Sequence, residues 1–528
     1  MKRRDFIAAT AGALTLAGCA APLSIEGGFT GIDVARGHAL RDGALKNAAP
    51  TTVRRTRVVI AGGGVAGLAA ARALRLSGID DFVLLELEDS AGGNSRGGMV
   101  EGIACPLGAH YLPVPGDDAS EVQDLLEELG LRKRVSGRWE YDERNLCHSP
   151  QERLFFQGEW HEGLLPVHGV TESTLAQYRL FASRVEALQR KTRFAIPMAK
   201  IAATPEMLAL DAVSFAAWLD PEGLGDTHLR WYLDYCCRDD YGAGLAHVSA
   251  WAGIHYFASR HGFHAPGDDS EERDAVLTWP EGNAWLARRL VAPLGDRIKV
   301  AHAVTRIAES RSGVEVDAFD AATKTMVRWE AERCIVALPV FIAARVVENP
   351  PAVLRNAAAN VRYAPWLVAN MHLRAPLADN GHGAAPSWDN LVYGTPGLGY
   401  VDARHQTLDP TPAPTVLSWY RPLGPSANDT GDGRKLLLER PWAGWRDDLL
   451  AELSVPHPDL PSLATRIDIA RYGHAMAMPT PGLLNRLGAS EKRQRITSGR
   501  LAFAHADWSG YSIFEEAFTR GHFAGLDS

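Results

Sequence analysis

The sequence lacks the features that mark several common classes of protein. Only six of its 528 residues are cysteine, and no two of them form a C-x-x-C pair, so neither a zinc site nor a redox dithiol is indicated. The formal net charge of −8 gives no support to a nucleic-acid partner. Beyond the N-terminal residues there is no apolar run of about 18 or more residues, so no internal membrane-spanning helix is expected.

The composition that remains is that of an ordinary folded protein. Hydrophobic residues make up 46% of the chain and charged residues 22%, which are typical proportions for a globular protein. A chain of 528 residues is too long for one small core, so we expect two domains or one large interleaved unit.

The first 19 residues have the layout of an export signal. A basic start is followed by a short apolar stretch, Phe6–Ala17, and by small residues. Arg3-Arg4 resembles the twin-arginine signal, and Leu16–Cys19 resembles a bacterial lipobox, in which the cysteine is lipidated. We therefore expect a lipoprotein on the periplasmic side of a bacterial membrane, anchored through Cys19, with residues 20–55 as a tether. The alternative is a plain secretory signal with a chance cysteine.

A glycine-rich turn stands between a predicted strand and a predicted helix. Arg57–Ala61 is a short β-branched run, and Val65–Leu76 is rich in helix formers. The turn between them fits G-x-G-x-x-G: Gly62 permits the tight turn, Gly64 lets the backbone approach a pyrophosphate, and Gly67 lets helix and strand pack closely. The unpaired N–H groups at the helix start would then face the phosphates.

A second apolar run, Phe82–Leu85, ends in Glu86, 24 residues after Gly62. This is close to the interval expected for an acid that binds ribose hydroxyls. Glu88 and Asp89 are competitors, but Glu86 lies directly at the strand end. The two features together predict a dinucleotide site.

The segment that follows Glu86, "LEDSAGGNSRGG", resembles part of the FAD-dependent amine oxidase and phytoene desaturase superfamily. There a second glycine pair, here Gly92 and Gly93, lets a loop pass close to the flavin diphosphate. Asn94 stands where that superfamily usually has arginine, and Arg96 follows two residues later, so either side chain is a candidate phosphate ligand. Nicotinamide dehydrogenases lack this segment, and the resemblance therefore implies FAD.

The same resemblance extends along most of the chain and implies an α/β fold. It implies a Rossmann-like FAD-binding domain of the glutathione-reductase type, interleaved with an α+β substrate domain. We place the first in residues 56–150, 278–345 and 476–528, and the second in residues 151–277 and 346–475.

The resemblance also implies further cofactor contacts. Val304 would meet the adenine through its backbone, and His110 would lie in the loop beneath the isoalloxazine. Asp507 replaces the usual glutamate of the closing segment, and a helix from about Ile513 would point its N-terminus at the flavin. No cysteine lies near this end of the chain, so we expect the FAD to be non-covalent.

Members of the superfamily pass a hydride from a carbon to the flavin N5, so we expect a small-molecule donor, either a small amine or a polyamine. Asp239 or Asp240 could hold a cation, and Asp240 is a catalytic candidate; an internal ion pair at a helix end is the alternative. Tyr472 and His474 precede the closing segment and are the other catalytic candidates. A buried structural histidine is the alternative for His474.

One absence bears on the electron acceptor. Many amine oxidases of the superfamily carry a lysine that holds a water at the flavin N5, but the corresponding stretch, Val361–Leu373, has none. Either another group holds the water or oxygen is not the natural acceptor; we expect the reduced flavin to be reoxidised by oxygen or a quinone-like carrier. Two other functions stay open: a desaturase or isomerase of an apolar, lipid-like substrate, and a flavin-binding scaffold without catalysis.

Overall fold

The computed structural model describes residues 24–45, 49–260, 262–267, 275–379, 381–426, 431–488 and 495–528. The predicted export signal and the lipidation site at Cys19 lie outside the described residues. Within them, no helix combines the length and the apolar character that crossing a membrane requires.

The strands of the described residues form two large sheets and three two-stranded sheets. Their bounds are β1 Glu26–Phe29, β2 Thr52–Ala61, β3 Phe82–Leu85, β4 Gly97–Val100, β5 Ile103–Pro106, β6 Tyr111–Pro113, β7 Arg132–Val135, β8 Arg138–Tyr141, β9 Glu152–Phe156, β10 Glu159–Glu162, β11 Val276–Thr278, β12 Ile298–Lys299, β13 His302–Glu309, β14 Val314–Asp320, β15 Thr325–Val336, β16 Arg362–Leu373, β17 Asp389–Val392, β18 Tyr400–Asp402, β19 Thr415–Pro422, β20 Ala464–Met478, β21 Ile496–Ser498 and β22 Leu501–Phe503.

The α-helices cover the faces of these sheets and fill a separate helical layer. Their bounds are α1 Val34–Arg41, α2 Val65–Leu76, α3 Ser120–Glu128, α4 Glu172–Gln189, α5 Pro205–Asp211, α6 Phe215–Leu219, α7 Thr227–Tyr241, α8 Ala250–Ala258, α9 Ala284–Val291, α10 Val340–Val346, α11 Ala352–Asn360, α12 Gly433–Glu439, α13 Trp442–Leu453, α14 Leu460–Leu463, α15 Leu483–Arg486 and α16 Phe514–Leu526.

The first sheet has the order β12-β3-β2-β15-β14-β13, with β22 joined to β15. The pairs β12–β3, β3–β2, β2–β15 and β15–β22 are parallel, whereas β15–β14 and β14–β13 are antiparallel. Strands buried on both faces read as continuous apolar runs, and Phe82–Leu85 is such a run, buried throughout. The α/β class and the Rossmann-like nucleotide fold expected from the sequence are confirmed.

Helix α2 packs against the C-terminal helix α16, and glycines allow the close approach. A Cβ on Gly521 would stand 2.0 Å from the carbonyl oxygen of Ala66, and one on Gly525 would stand 2.6 Å from that of Ala70. Contacts this short exclude every side chain except hydrogen. The two helices therefore fix the end of the chain against the turn that begins α2.

The second sheet has the order β1-β20-β16-β19-β18-β17-β9-β10. Its longest pairing joins β16 to β20 in antiparallel fashion, with Trp366 opposite Tyr472. Helices between residues 172 and 258 pack beside it around a core that includes Phe181, Phe215 and Trp251. This sheet and these helices supply the wall opposite the nucleotide domain.

The prediction that residues 20–55 form a tether is wrong for much of that stretch. Residues 26–29 form β1, residues 34–41 form α1, and β2 begins at Thr52. The sequence gives little sign of this because β1 (Glu-Gly-Gly-Phe) is only four residues long. It joins β20 through backbone pairing and through Phe29, whose ring centroid lies 3.6 Å from the guanidinium carbon of Arg471. A short edge strand of this kind needs no alternating apolar pattern.

Candidate active site

A large cavity lies between the nucleotide sheet and the second sheet. It has about 2180 Å³ of empty volume, including the space open to solvent at its mouth. Its lining includes most of the residues that the sequence predicts to hold a cofactor: Gly62, Gly64, Glu86, Gly92, Gly93, Asn94, His110, Val304, Asp507 and Ile513. Gly67 and Arg96, also predicted, do not belong to this lining.

The glycine turn has the geometry expected for a phosphate cradle. Gly62 has a φ of +104°, and a Cβ there would stand 2.4 Å from the carbonyl oxygen of Ala337. Gly64 begins α2 without a side chain that caps the helix, so its first N–H groups keep their capacity for an anion. Gly67 lies behind the turn, where a Cβ would stand 1.9 Å from the carbonyl oxygen of Gly62.

The second glycine pair lies against the first. Gly64 and Gly92 form an isolated parallel bridge, and the N–H of Gly92 donates to the carbonyl of Gly63 at 2.8 Å. A Cβ on Gly93 would stand 3.1 Å from the Cα of Gly64. Two backbone segments without side chains therefore meet along the cavity wall and leave room for a diphosphate.

Glu86 is placed to bind ribose hydroxyls. Its carboxylate accepts the N–H of Gly63 and the N–H of Glu88, both at 2.8 Å, one on each oxygen. Burial raises the pKa of Glu86, and the two backbone donors oppose this. The carboxylate is fixed in orientation and still has lone pairs for hydroxyls on the cavity side.

Arg96 lies outside the cavity lining, so its role as a phosphate ligand stays a prediction. The side chain is buried; its Nε donates to the carbonyl of Gly93 at 3.3 Å, and its Nη1 lies 3.5 Å from a carboxylate oxygen of Glu88. Asn94 does line the cavity, but its Nδ2 donates to the carbonyl of Ala475 at 2.7 Å.

Val304 and Asp507 both belong to the lining. Val304 precedes a bulge, since β13 and β14 slip in register between Val304 and Arg306, and bulges often occur next to functional sites. Asp507 accepts the N–H of Val340 at 2.9 Å and the hydroxyl of Tyr363 at 2.5 Å. Although burial opposes it, nearby His505 and these hydrogen bonds lower the pKa of Asp507, so the carboxylate is ionised at neutral pH.

The C-terminal helix begins at Phe514, with Ile513 as the residue before it, and both line the cavity. Glu515 and Glu516 lie in the first turn, where the helix dipole favours negative charge. Glu516 is fully buried and accepts the hydroxyl of Ser509 at 2.5 Å, and Arg520 donates to the same hydroxyl. Glu515 instead lines the cavity.

The loop that carries His110 is held from two sides. The hydroxyls of Tyr472 and Tyr420 donate to the carbonyls of Leu107 and Gly108, at 2.8 and 3.1 Å. The ring of His110 stacks on that of Tyr420 with centroids 4.4 Å apart. Burial lowers the pKa of His110 to about 3, so its imidazole is neutral at physiological pH.

The carboxylates at one end of the cavity differ in their partners. Asp240, one of the catalytic candidates, is paired with Arg260, whose Nη2 lies 3.2 Å from its Oδ2. Asp239 lines the same cavity, and burial together with the charge of Asp240 raises its pKa to about 7, in spite of a hydrogen bond from Tyr111. Burial likewise raises the pKa of Glu515 to about 7. Asp239 and Glu515 are therefore the carboxyl groups of this end that titrate near neutrality.

Tyr472 and His474 both line the cavity, as expected, but in different settings. Burial raises the pKa of Tyr472 to about 12. The His474 ring stacks on Phe341 at 4.4 Å, and burial and the charge of Arg434 lower its pKa to about 4. Neither group changes its charge near pH 7, which favours a role as walls of the site over a role in proton transfer.

Several cavity residues were not anticipated from the sequence: Tyr363, Arg260, Tyr420, Glu515 and His302. Glu515 has a sequence signal, because it follows directly on the predicted start of the last helix. Tyr420 comes from β19, a strand without a motif. Strand β16 contributes Tyr363, Trp366 and Val368 to the lining and no lysine.

Comparison with known proteins places these features in context. The family model described as flavin containing amine oxidoreductase matches residues 65–450. Amine oxidase [flavin-containing] B of Bos taurus is 22% identical over 355 residues, which cover 64% of this chain and 59% of that protein. The protein of the same name from Cavia porcellus is 24% identical over 302 residues, 56% of this chain and 52% of that protein. The chain thus matches little more than half the length of these relatives.

Solved structures share the fold over nearly the whole chain. Putrescine oxidase bound to putrescine has a TM-score of 0.69 at 20% identity and covers 90% of this chain and 99% of its own. Cyclohexylamine oxidase from Brevibacterium oxydans IH-35A has a TM-score of 0.64 at 18% identity, with coverages of 89% and 98%. A fatty acid isomerase from P. acnes has a TM-score of 0.60 at 15% identity, with coverages of 89% and 97%.

Proposed function

The chain belongs to the flavin-containing amine oxidoreductase family, and from this membership we propose that it oxidises an amine at the C–H bond beside the nitrogen, with non-covalent FAD as its cofactor. The observation that carries the proposal is the continuity of one cavity. The glycine cradle and Glu86 line one part of it, and Asp239, Glu515 and a set of aromatic rings line another. Its lining includes no cysteine among the described residues, which supports a cofactor without a thioether link.

The residues present fit FAD. Two glycine segments leave room for a diphosphate, α2 offers uncapped N–H groups, and Glu86 offers oriented acceptors for a ribose. Bound FAD supplies a two-electron acceptor for the hydride of the substrate carbon. Every other requirement of the reaction falls to the protein: to admit the amine, orient its C–H bond, accept a proton and exclude water.

Asp239 and Glu515 are suited to admitting the amine and to accepting its proton. An amine is a cation at neutral pH, and it must lose a proton before its nitrogen lone pair can assist loss of the hydride. A carboxylate attracts the cation, and a carboxyl group with a pKa near 7 can accept its proton. The C–H electron pair then leaves with the hydride, a C=N bond forms, and water hydrolyses the product to a carbonyl compound and ammonia, or to a carbonyl compound and a smaller amine where the nitrogen is secondary.

The aromatic residues are suited to orienting the C–H bond and to excluding water. Tyr420, Tyr472 and His110 form fixed walls, because hydrogen bonds hold both tyrosines to the Leu107–Gly108 loop and His110 stacks on Tyr420. Aromatic faces attract cations and exclude water. We propose that the substrate is a small amine or a polyamine, a class represented by the putrescine that putrescine oxidase binds.

Anaerobic titration of the yellow holoprotein tests this proposal. A panel of monoamines, diamines, polyamines and amino acids is added, and reduction is followed as bleaching of the flavin absorbance. We expect a member of the amine panel to bleach the flavin and Asp239→Asn to slow that reaction, whereas Asp447→Asn, at an exposed position on α13, has no effect. Bleaching by a fatty acid or polyene and by no amine would support the alternative function, a desaturase or isomerase. Bleaching by neither the amines nor the lipids would favour a flavin-binding scaffold without catalysis.

The acceptor that reoxidises the flavin is proposed to be oxygen or a quinone-like carrier. Tyr363, Trp366 and Val368 are the β16 residues in the cavity lining, so this strand supplies no lysine to hold a water. Stopped-flow reoxidation with oxygen and, separately, with a soluble quinone measures the preference directly. Rapid reoxidation by the quinone and slow reoxidation by oxygen would identify a dehydrogenase, and the reverse order an oxidase.

The location of the protein is also proposed, on the sequence alone. The twin-arginine pattern and the lipobox favour export of the folded, FAD-loaded chain and anchoring through Cys19. Fractionation of cells that express Cys19→Ser tests this, with Cys147→Ser as the matched control. The first variant should leave the membrane fraction and the second should remain in it; a membrane-bound Cys19→Ser protein would refute anchoring by this residue.

A further inference from the structure

The segment Glu26–Arg41, here named the N-terminal strap, connects the two sheets in front of the nucleotide half of the cavity. Its first part, β1, pairs in parallel with β20 of the second sheet, from Glu26 opposite Arg466 to Phe29 opposite Ile469. Its second part, α1, lies against β13 of the nucleotide sheet. The strap precedes residues 65–450, to which the family model matches.

Polar contacts fasten the strap to the residues that directly follow Glu86. The N–H of Asp33 donates to a carboxylate oxygen of Glu88 at 3.1 Å. The guanidinium of Arg36 donates to the carbonyl of Leu87, and its Nη2 lies 3.0 Å from Asp89. Each contact joins α1 or its start to the segment Leu87–Asp89, which continues the strand end that carries the ribose-binding candidate.

Apolar packing fastens the same helix to the strand that carries the adenine-binding candidate. Leu40 is 3% exposed and belongs to the same buried cluster as Leu85 and Val304. Leu40 and Gly37 both line the cavity, together with Glu86 and Val304. The strap is therefore part of the wall around the place expected for adenosine.

Gly37 is the informative residue of the strap. Glycine weakens the middle of a helix, and the backbone of Gly37 is not in the left-handed region that would require it. A Cβ on Gly37 would meet no atom within 4 Å, so no protein neighbour explains the missing side chain. A ligand that approaches the helix backbone from the cavity does explain it.

We propose that the N-terminal strap is a cofactor-binding element, which covers the adenosine half of FAD and retains it. Gly37 leaves the space that the adenosine fills, Leu40 supplies an apolar contact, and Arg36 holds the helix on the strand end beside Glu86. This inference depends on the binding of FAD and does not depend on which substrate the flavin oxidises.

The experiment compares Gly37→Leu with Ala35→Leu in the full chain. Ala35 lies on the same helix but is exposed and outside the cavity lining. The affinity of the FAD-free protein for FAD and for ADP is measured by calorimetry, and its melting by circular dichroism. ADP carries the adenosine and the diphosphate of FAD without the flavin, so its affinity reports the binding of the adenosine half alone.

We expect Gly37→Leu to melt at or above the temperature of the parent FAD-free protein, because leucine favours the helix and meets open space. Its affinity for both FAD and ADP should fall about tenfold or more, since the leucine would occupy ligand space. Ala35→Leu should bind both as the parent does. Parental affinity of Gly37→Leu for ADP would overturn the proposal.

Arg36→Ala provides an independent test that introduces no bulk. The variant lacks the contacts of Arg36 with Leu87 and Asp89, so α1 should be held less firmly and FAD should leave the holoprotein faster. The absorbance spectrum of the flavin that remains bound should not change. A parental release rate in Arg36→Ala would also count against the proposal. Failure of amines to reduce the flavin would refute the proposed function and leave these binding results intact.

Discussion

Gly67 lies so close to Gly62 that a Cβ on Gly67 would stand 1.9 Å from the Gly62 carbonyl oxygen. The obstacle is backbone and cannot rotate away, so Gly67→Ala must push α2 from the turn. We expect a loss of about 3 kcal/mol of unfolding free energy, near the upper end for overpacking, together with a loss of FAD. Chemical denaturation measures the first and flavin fluorescence the second. Gly225→Ala is the control, because a Cβ there meets nothing within 4 Å.

Glu86→Ala should weaken FAD retention. The carboxylate is buried and already oriented by two backbone donors, so its removal deletes charge-assisted hydrogen bonds to the ribose worth about 1.5–3 kcal/mol. Glu86→Gln keeps one acceptor and should fall between Ala and the parent. The dissociation constant for FAD measures the effect, and Glu159→Gln, at an exposed site on β10, should be neutral. Equal affinity for FAD in the parent, Glu86→Ala and Glu86→Gln would show that Glu86 does not bind the ribose.

Local signals in the sequence were sufficient for the nucleotide half of the site. The helix Val65–Leu76 and the strand Phe82–Leu85 have the bounds that the sequence predicts. They could be predicted because the glycine spacing, the apolar run and the acid at its end all lie within one βαβ unit. The partners of Arg96, the carbonyl of Gly93 and the carboxylate of Glu88, depend on the folded loop and are not revealed by spacing.

The substrate half and the strap could not be predicted in the same way. Tyr420, Arg260 and Glu515 lie far apart in the chain and meet only when the second sheet and the last helix close on the cavity. Asp239 and Asp240 are adjacent in the sequence, and spacing does not show which of them is paired. Arg260, which follows helix α8, forms its ion pair with Asp240. Strand β1 of the strap has four residues, two of them glycine, so it leaves no alternating pattern in the sequence.

Tyr472→Phe should leave the pH dependence of flavin reduction unchanged. Burial raises the pKa of Tyr472 to about 12, and its hydroxyl donates to the carbonyl of Leu107, so it is not expected to exchange protons near neutrality. The rate should change less than about threefold, because the ring remains and one neutral hydrogen bond is lost. Tyr472→Ala, which removes the wall, should slow reduction far more. A pH profile displaced in Tyr472→Phe would show that the phenol takes part in proton transfer.

Asp239→Asn should alter how the stability of the FAD-free protein depends on pH. Burial and the charge of Asp240 raise the pKa of Asp239 to about 7, above the value of about 3.9 in an unfolded chain. The folded state thus binds the proton more tightly, and the stability from this group is complete below pH of about 4 and lost as pH rises through about 7. The melting temperature of Asp239→Asn, relative to that of the parent, should therefore rise as the pH is raised between these two values. The melting temperature of Asp447→Asn, at an exposed site, should follow that of the parent throughout.

The same titration should govern the binding of cations. A quaternary ammonium inhibitor keeps its charge at every pH, so any change in its affinity reports the protein alone. Its affinity for the holoprotein should rise as Asp239 and Glu515 ionise near pH 7, because the charge of Asp240 is already offset by Arg260. Asp239→Asn should flatten the rise and Glu515→Gln should reduce it, as followed by the perturbed flavin spectrum. A parental pH profile in both variants would mean that neither carboxylate faces the bound cation.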